Sequence, residues 1–384
     1  MKVTVNGRAE QRIRQRHPWI FADDILESTI DTAGPVFIYN QNKRFLASAL
    51  YSPQSKIRLR IYSHEKTDFN ETFLRKKITQ GFDLRQRLYG EATCYRVIFG
   101  ESDGIPSLII DRYHDLYVIQ TLSAGLEPYK ETIFKILKED YRPTSMVERN
   151  DAQVRHKEGL PLIKQFVFGP APEVKIIELQ GVQFEFRPLE GQKTGFFLDQ
   201  KENAQLAGKY FSGEILDCFC YEGQFALHLA KHADKIISVD SSMPALQQLQ
   251  RNAELNHTHN IETLEGNVFD VLRGFDQQKR KFDGIVLDPP AFVKTKSTLK
   301  TAIRGYKEIN LRAIRLLKEE GRLATFSCSQ NLSDSTFLQL LQEAAFDAKR
   351  QVQIIARFNQ PADHPILLSA QETHYLKGFL LRCL

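Results

Sequence analysis

From residue 214 to residue 345 the sequence alternates short apolar, β-branched runs with amphipathic stretches of helical period, and this alternation restricts the fold more than any other feature. Strand-like runs at 214–218, 235–240, 261–266, 282–287 and 321–327 are interleaved with helical patterns at 224–232, 243–255, 301–317 and 333–345. Such an order closes as a parallel, doubly wound sheet with helices on both faces. Two further runs, 352–357 and 375–382, are separated only by a loop containing Asp363-His364-Pro365. Without a crossover helix they pair antiparallel, as a hairpin.

The chemistry is expected at the carboxyl ends of these strands, where open α/β sheets bind ligands. Ile285, Val286 and Leu287 suit a strand buried on both faces, and Pro289 and Pro290 end it while holding Asp288 extended. The next strand runs into Phe326-Ser327-Cys328-Ser329. If the two strands are neighbours, about 4.8 Å apart, a carboxylate and a thiol face one crevice.

The first βα turn, Asp217-Cys218-Phe219-Cys220-Tyr221-Glu222-Gly223, lacks the G-x-G-x-x-G spacing that brings backbone close to a dinucleotide pyrophosphate. Gly223 provides a tight turn, and Asp217 provides a carboxylate for an amino group. Asp240, followed by Ser241, is placed to accept from ribose hydroxyls at the tip of the second strand. After the third, Asn267-Val268-Phe269 offers an amide beside an apolar pair, suited to adenine. An adenosine-containing ligand with a cationic amino acid part and no phosphates points to S-adenosylmethionine.

At 384 residues the chain is expected to hold more than one domain. Residues 1–70 read as a small β-barrel without a long helix, residues 71–172 as an α+β module, and residues 173–384 as the α/β domain. The middle module opens with a helix at 72–88, whose apolar side is read as Phe73, Ile78, Phe82 and Leu84. Glu101-Ser102-Asp103-Gly104 reads as an exposed hairpin tip. In the first module, eleven Lys/Arg stand against seven Asp/Glu, a surplus of +4 that accounts for most of the chain's net +5 and suits a polyanion. There, Arg12, Arg14 and Arg16 are read on one side of an extended segment just ahead of Trp19, the only tryptophan, itself expected in the core.

No apolar run approaches the roughly 18 residues that span a bilayer, so a cytoplasmic protein with no membrane partner is expected. Five scattered cysteines, Cys94, Cys218, Cys220, Cys328 and Cys383, fit reduced thiols better than a disulfide framework. Cys218-x-Cys220 has the wrong spacing for a zinc knuckle, and no metal is expected.

Taken together these stretches resemble the RlmI-type family of bacterial large-subunit ribosomal RNA cytosine-C5 methyltransferases, along the whole chain. R-H-P-W-I-F is similar to the family's PUA domain, and G-E-S-D-G-I-P-S-L-I-I-D-R-Y and E-R-N-D-A-Q-V-R to its central domain. G-Q-K-T-G-F-F-L-D-Q, D-P-P-A-F, R-G-Y-K-E-I-N, T-F-S-C-S and A-D-H-P-I are similar to its catalytic domain. Glu222 and Gln224 stand where the family's first turn usually has threonine and a second glycine. The resemblance implies a Rossmann-like class I methyltransferase domain, a seven-stranded sheet with an antiparallel last strand, behind an α+β central domain and a PUA barrel. It implies S-adenosylmethionine as cofactor, with Lys193, Thr194, Phe197, Gln200 and Asp288 joining the residues above, and 23S ribosomal RNA as partner, with Lys294 and Arg304 joining the arginines.

In the mechanism so implied, the Cys328 thiolate adds to carbon 6 of cytosine while Asp288 supports protonation at ring nitrogen 3. Two rivals stay open. One is a methyltransferase acting on a guanine nitrogen, which needs the Asp-Pro-Pro turn but no thiol. The other is an RNA-binding ribosome assembly factor that only senses the cofactor. The oligomeric state is not set by the sequence, and a homodimer stays open.

Overall fold

The computed structural model describes residues 1–28, 30–191, 194–292 and 299–384. They form two compact units, one of Met1–Ile177, Phe186–Leu198 and Ala362–Thr373, the other of Glu178–Glu185, Asp199–Pro361 and His374–Leu384.

The second unit is built on seven strands: β1 (Gly213–Cys218), β2 (Ala233–Asp240), β3 (Ile261–Glu265), β4 (Phe282–Leu287), β5 (Leu317–Ser327), β6 (Val352–Asn359) and β7 (Lys377–Cys383). Its helices are α1 (Lys201–Gly208), α2 (Gln224–Leu229), α3 (Met243–Leu255), α4 (Val268–Gln277), α5 (Leu299–Leu316) and α6 (Asp334–Ala348). The sheet order is β3-β2-β1-β4-β5-β7-β6. Strands β1 to β5 pair in parallel, whereas β7 runs antiparallel to both β5 and β6. The doubly wound sheet with a closing hairpin is therefore present. Strand order turns back between β1 and β4, which is the switch point where such sheets open a ligand crevice.

Side-chain parity explains the layers. Leu216, Cys218, Ile285, Leu287 and Leu323 face one way, into a core completed by Leu272 of α4, Tyr306 and Ile309 of α5, and Phe337 of α6. Ile215, Val286, Ala324 and Phe326 face the other way, onto Ala204 of α1, Phe225 of α2 and Leu249 of α3. Burial on both faces is what a near-continuous apolar strand such as β4 needs. Truncating Ile285 or Leu287 to alanine would cost about 2–5 kcal/mol.

Helix α4 is absent from the sequence reading, which treats Asn267-Val268-Phe269 as a ligand loop. Val268, Val271, Leu272 and Phe275 recur at helical spacing and pack on the core. Asn267 caps the helix, its Oδ1 accepting from the Phe269 backbone N–H at 2.9 Å. Gly274 inside the pattern and the polar run after Phe275 mask it.

The first unit holds a six-stranded and a five-stranded sheet. In the six-stranded sheet (Lys2–Val5, Trp19–Phe21, Ile25–Glu27, Gly34–Tyr39, Phe45–Tyr51 and Ile57–Ser63) all pairings are antiparallel except that of Lys2–Val5 with Gly34–Tyr39. The five-stranded sheet carries the helix Glu71–Tyr89 on its core.

Several local expectations need correction. Residues Gly7–Arg14 are a helix, capped by Asn6, and not an extended segment. At about 100° per residue, Arg12 and Arg14 leave different sides of it. The Arg12 guanidinium bonds Asp24 at 3.0 Å and lies over the Phe21 ring, while Arg14 bonds Glu10 at 2.7 Å. Arg14 and Arg16 are exposed. Trp19 is half-buried, not core, because its indole N–H must reach Glu101 Oε1, 2.8 Å away. The 101–104 stretch is no exposed tip: Asp103 takes a bidentate pair from the fully buried Arg85 at 2.6 and 2.8 Å. In the 71–89 helix the buried residues are Leu74, Ile78, Gly81, Phe82 and Arg85, whereas Leu84 is exposed. Arg85 replaces an apolar side chain there because Asp103 and the carbonyls of Arg96 and Asp363 satisfy it.

Candidate active site

Two strand tips carry the carboxylate and the thiol expected from the sequence. In the parallel register of β4 and β5, Leu287 lies opposite Thr325, so Asp288 and Cys328 follow at the same edge, one and three residues beyond that pair. Asp288 is half-buried, and its Oδ1 accepts from Gln200 Nε2 at 2.9 Å. Asn203 Nδ2 in turn donates to Gln200 Oε1 at 2.6 Å and to the Asn359 carbonyl at 3.0 Å. That chain of amides sets which way the Gln200 head points and so holds the carboxylate.

Of the five cysteines, Cys328 alone is not buried. Its Sγ lies 3.8 Å from the Pro289 carbonyl, on the far side of the Asp288 turn. The Tyr306 hydroxyl of α5 bonds both neighbours of Cys328, Ser327 Oγ at 3.0 Å and Ser329 Oγ at 3.0 Å. Phe292, after the two prolines, packs on Tyr306 with ring centroids 4.6 Å apart, and on Phe269 and Phe219 at 5.8 and 6.3 Å. An aromatic wall thus runs beside the carboxylate and the thiol.

The turn after β1 is tightly wound. Phe219 and Tyr221 hold φ of 62° and 47°, and Gly223 holds 87°. Left-handed backbone costs a non-glycine residue about 1–2 kcal/mol, and here three bonds hold it. Cys220 N–H donates to the Val239 carbonyl at 3.1 Å, Tyr221 N–H to Asp240 Oδ2 at 3.0 Å, and Gly223 N–H to the Cys220 carbonyl at 2.9 Å. A Cβ at Gly223 would stand 2.6 Å from Leu249 Cγ, so this position admits only glycine. Asp240 also accepts from Ser242 N–H at 2.9 Å, and each of its oxygens keeps a second lone pair for a ligand.

Asp217, Asp240 and Asp288 stand at the ends of three adjacent strands. Burial, and next the Asp288 charge, push the Asp217 carboxyl well above the usual carboxylate range. Its Oδ2 accepts from Ala226 N–H at 3.1 Å, but Oδ1 is buried without a partner. An orphaned carboxylate oxygen beside two further carboxylates fits a cationic ligand and repels a phosphate. Asp217 also opposes ionisation of Cys218 and Cys220, whose thiols are pushed up chiefly by burial. Both effects favour the protonated thiol.

The other expected residues differ in burial and partners. Val268 is buried in the core, so of its pair only the half-buried Phe269 is open to a ligand face. Asn267 is exposed and its Oδ1 already caps α4, while Ser241 is exposed. Thr194 and Phe197 belong to the first compact unit, where the Thr194 hydroxyl donates to Asp111 Oδ2 at 2.5 Å. Lys193 and Lys294 lie outside the described residues. Arg304 is exposed on α5. Asn203 and Lys377 are absent as site residues from the sequence reading, and Tyr306, Ser327 and Ser329 enter it only inside longer stretches, with no role of their own. Lys377 leaves a visible signal, as a charge inside the apolar run of the last strand.

Residues 3–64 match a PUA-like domain family, and residues 212–371 match a methyltransferase domain family. The chain is 40% identical to the ribosomal RNA large subunit methyltransferase I of Vibrio vulnificus, covering 99% of this chain and 98% of that protein. It belongs to the ribosomal RNA large subunit methyltransferase I family. Another member, from Photobacterium profundum, is 40% identical over 98% of this chain and 97% of its own. A solved structure from Streptococcus mutans, described as a SAM-dependent methyltransferase, has the same fold, with a TM-score of 0.86 at 21% identity over the whole of both chains.

The cofactor of this ribosomal RNA large subunit methyltransferase I family protein is S-adenosylmethionine. The chemistry at the switch point is compatible with it: Asp217 has an orphaned carboxylate oxygen, Asp240 has acceptor capacity left on both oxygens, and Gly223 sits in a tight turn. No described helix is long and apolar enough to cross a membrane.

Proposed function

We propose that the protein forms 5-methylcytosine in 23S ribosomal RNA, in the cytoplasm, through a covalent adduct at Cys328. The observation that carries this reading is the half-exposed thiol beside the held Asp288 carboxylate, while the other four cysteines are buried. Carbon 5 of cytosine is not nucleophilic in the free base. Addition of the Cys328 thiolate to carbon 6 forms a C–S bond and moves the 5,6 electron pair onto carbon 5, while Asp288 supports the proton at nitrogen 3. S-adenosylmethionine, when bound, would supply the methyl group from its sulfonium and be left as the neutral thioether S-adenosylhomocysteine. Once carbon 5 carries the methyl, loss of its proton to a base restores the 5,6 double bond and expels Cys328 as thiolate.

In this proposal residues 1–70 bind the RNA, residues 71–172 form a central α+β domain, and residues 173–384 carry out transfer. Arg14, Arg16 and Arg304 are exposed for phosphate contact. Arg12 contributes less freely, being tied to Asp24. RNA bearing 5-fluorocytosine tests the reading, because fluorine cannot leave as a cation and the adduct persists. The expected result is a covalent complex in the parent and none in Cys328→Ala. Methyl transfer that survives in Cys328→Ala, with the product methylated on a guanine nitrogen, overturns it. RNA and cofactor binding without any transfer would favour an assembly factor.

A further inference from the structure

Lys377 lies on β7, opposite Ser327 in the antiparallel register with β5. It is 4% exposed, a depth at which an ammonium is costly unless it is needed. Its Nζ donates to the Ser329 carbonyl at 3.0 Å and to the Tyr375 carbonyl at 3.0 Å. The peptide just after Cys328 is thereby tied to β7, while Tyr306 ties the side chains of Ser327 and Ser329 to α5. Cys328 is the one residue of this short turn whose side chain is left half-exposed.

We propose that Lys377 is a positioning residue for Cys328: it fixes the backbone beyond the thiol and supplies the positive charge that favours the thiolate. Its catalytic consequence rests on the reading of Cys328 as nucleophile, but its effect on the thiol does not. Burial works to strip the proton from Lys377, whereas Asp334 at the start of α6 and Cys328 itself work to keep it. The titratable side chains carried by the described elements at this turn include Lys377 of β7, Asp334 at the start of α6, Asp288 at the tip of β4 and Tyr306 of α5. Lys377 is opposite in charge type to the two acidic side chains. A thiolate is the nucleophilic form, and an adjacent lysine is one of the few ways to populate it at neutral pH.

The test is the rate of Cys328 alkylation by iodoacetamide against pH in the full chain, followed by mass spectrometry of the Cys328 peptide. The parent should titrate below the ordinary thiol value of about 8.5. Lys377→Met should move that midpoint up by about one unit, making alkylation at pH 7 about tenfold slower, and Lys377→Arg should recover much of the loss. The pH optimum of turnover should move with the midpoint. A parent midpoint at or above 8.5 overturns the proposal without any variant, which covers the case of a variant that fails to fold. So does an unchanged profile in a folded Lys377→Met. A shifted profile without 5-fluorocytosine trapping upholds Lys377 while refuting the nucleophile, and trapping with an unshifted profile does the reverse.

Discussion

Two cysteine-bearing turns sit at the same edge of one sheet and differ in burial and surroundings. After β1, Cys218 and Cys220 are buried next to Asp217, so burial and a like charge both keep their protons on. After β5, Cys328 is half-exposed, between residues held by Tyr306 and by the Lys377 ammonium. The first turn has an orphaned carboxylate oxygen and a left-handed backbone. The second has its polar groups bonded around one half-exposed thiol, the nucleophile of the proposed reaction. Residue type and strand-end position are shared, and what separates a structural thiol from a reactive one is the charge and solvent around it.

The largest effect expected from breaking the contrast is at Cys328. Turnover on ribosomal RNA in Cys328→Ala should fall about a thousandfold or more, with cofactor affinity and Tm nearly unchanged. Retained activity would mean that the two turns do not differ in function. Next comes Asp288→Asn, expected to lower kcat about a hundredfold while RNA affinity measured by filter binding stays within a fewfold.

The binding turn is probed at its carboxylates. Asp240→Ala removes up to two charge-assisted hydrogen bonds to a ligand, about 1.5–3 kcal/mol each, and also frees Tyr221 N–H and Ser242 N–H, so calorimetry should show cofactor binding weakened more than tenfold. Asp217→Asn sharpens the comparison through its sign. A carboxyl whose folded pKa is raised costs the ligand-free protein stability as pH climbs from the ordinary range through the raised value. Neutralising it should therefore raise the Tm of the ligand-free protein at pH 7 by about 2–4 °C while weakening cofactor binding. A lower Tm would show that the Asp217 charge is already compensated. The smallest effect is at Cys220→Ser, where kcat should stay within about twofold and only stability should fall, by about 1 kcal/mol, as a hydroxyl replaces a buried thiol.

The sheet was legible because its signal is periodic and local. Apolar runs broken by Gly, Pro and capping residues gave β1 to β5, and the lack of a helix between the last two runs gave the antiparallel end. Asp288 could be placed from Pro289 and Pro290, and the pairing of β4 with β5 put Cys328 beside it. Where periodicity was interrupted the reading failed. Gly274 hid α4. Arg12, Arg14 and Arg16, alternating in sequence, looked like a strand face, although Asn6 and Ala9 begin a helix there that Asp24 and Glu10 hold by ion pairs.

By itself, then, the sequence determined the doubly wound sheet and the strand edge at which a carboxylate and a thiol stand, since each follows from residue type and neighbours along the chain. Tertiary structure decided which cysteine is open to react, which carboxylate oxygen lacks a partner, and that Lys377 on the last strand reaches the turn after the fifth. Burial and charge proximity join residues far apart in sequence, such as Tyr306, Ser329 and Lys377, and no local pattern of residues carries that information.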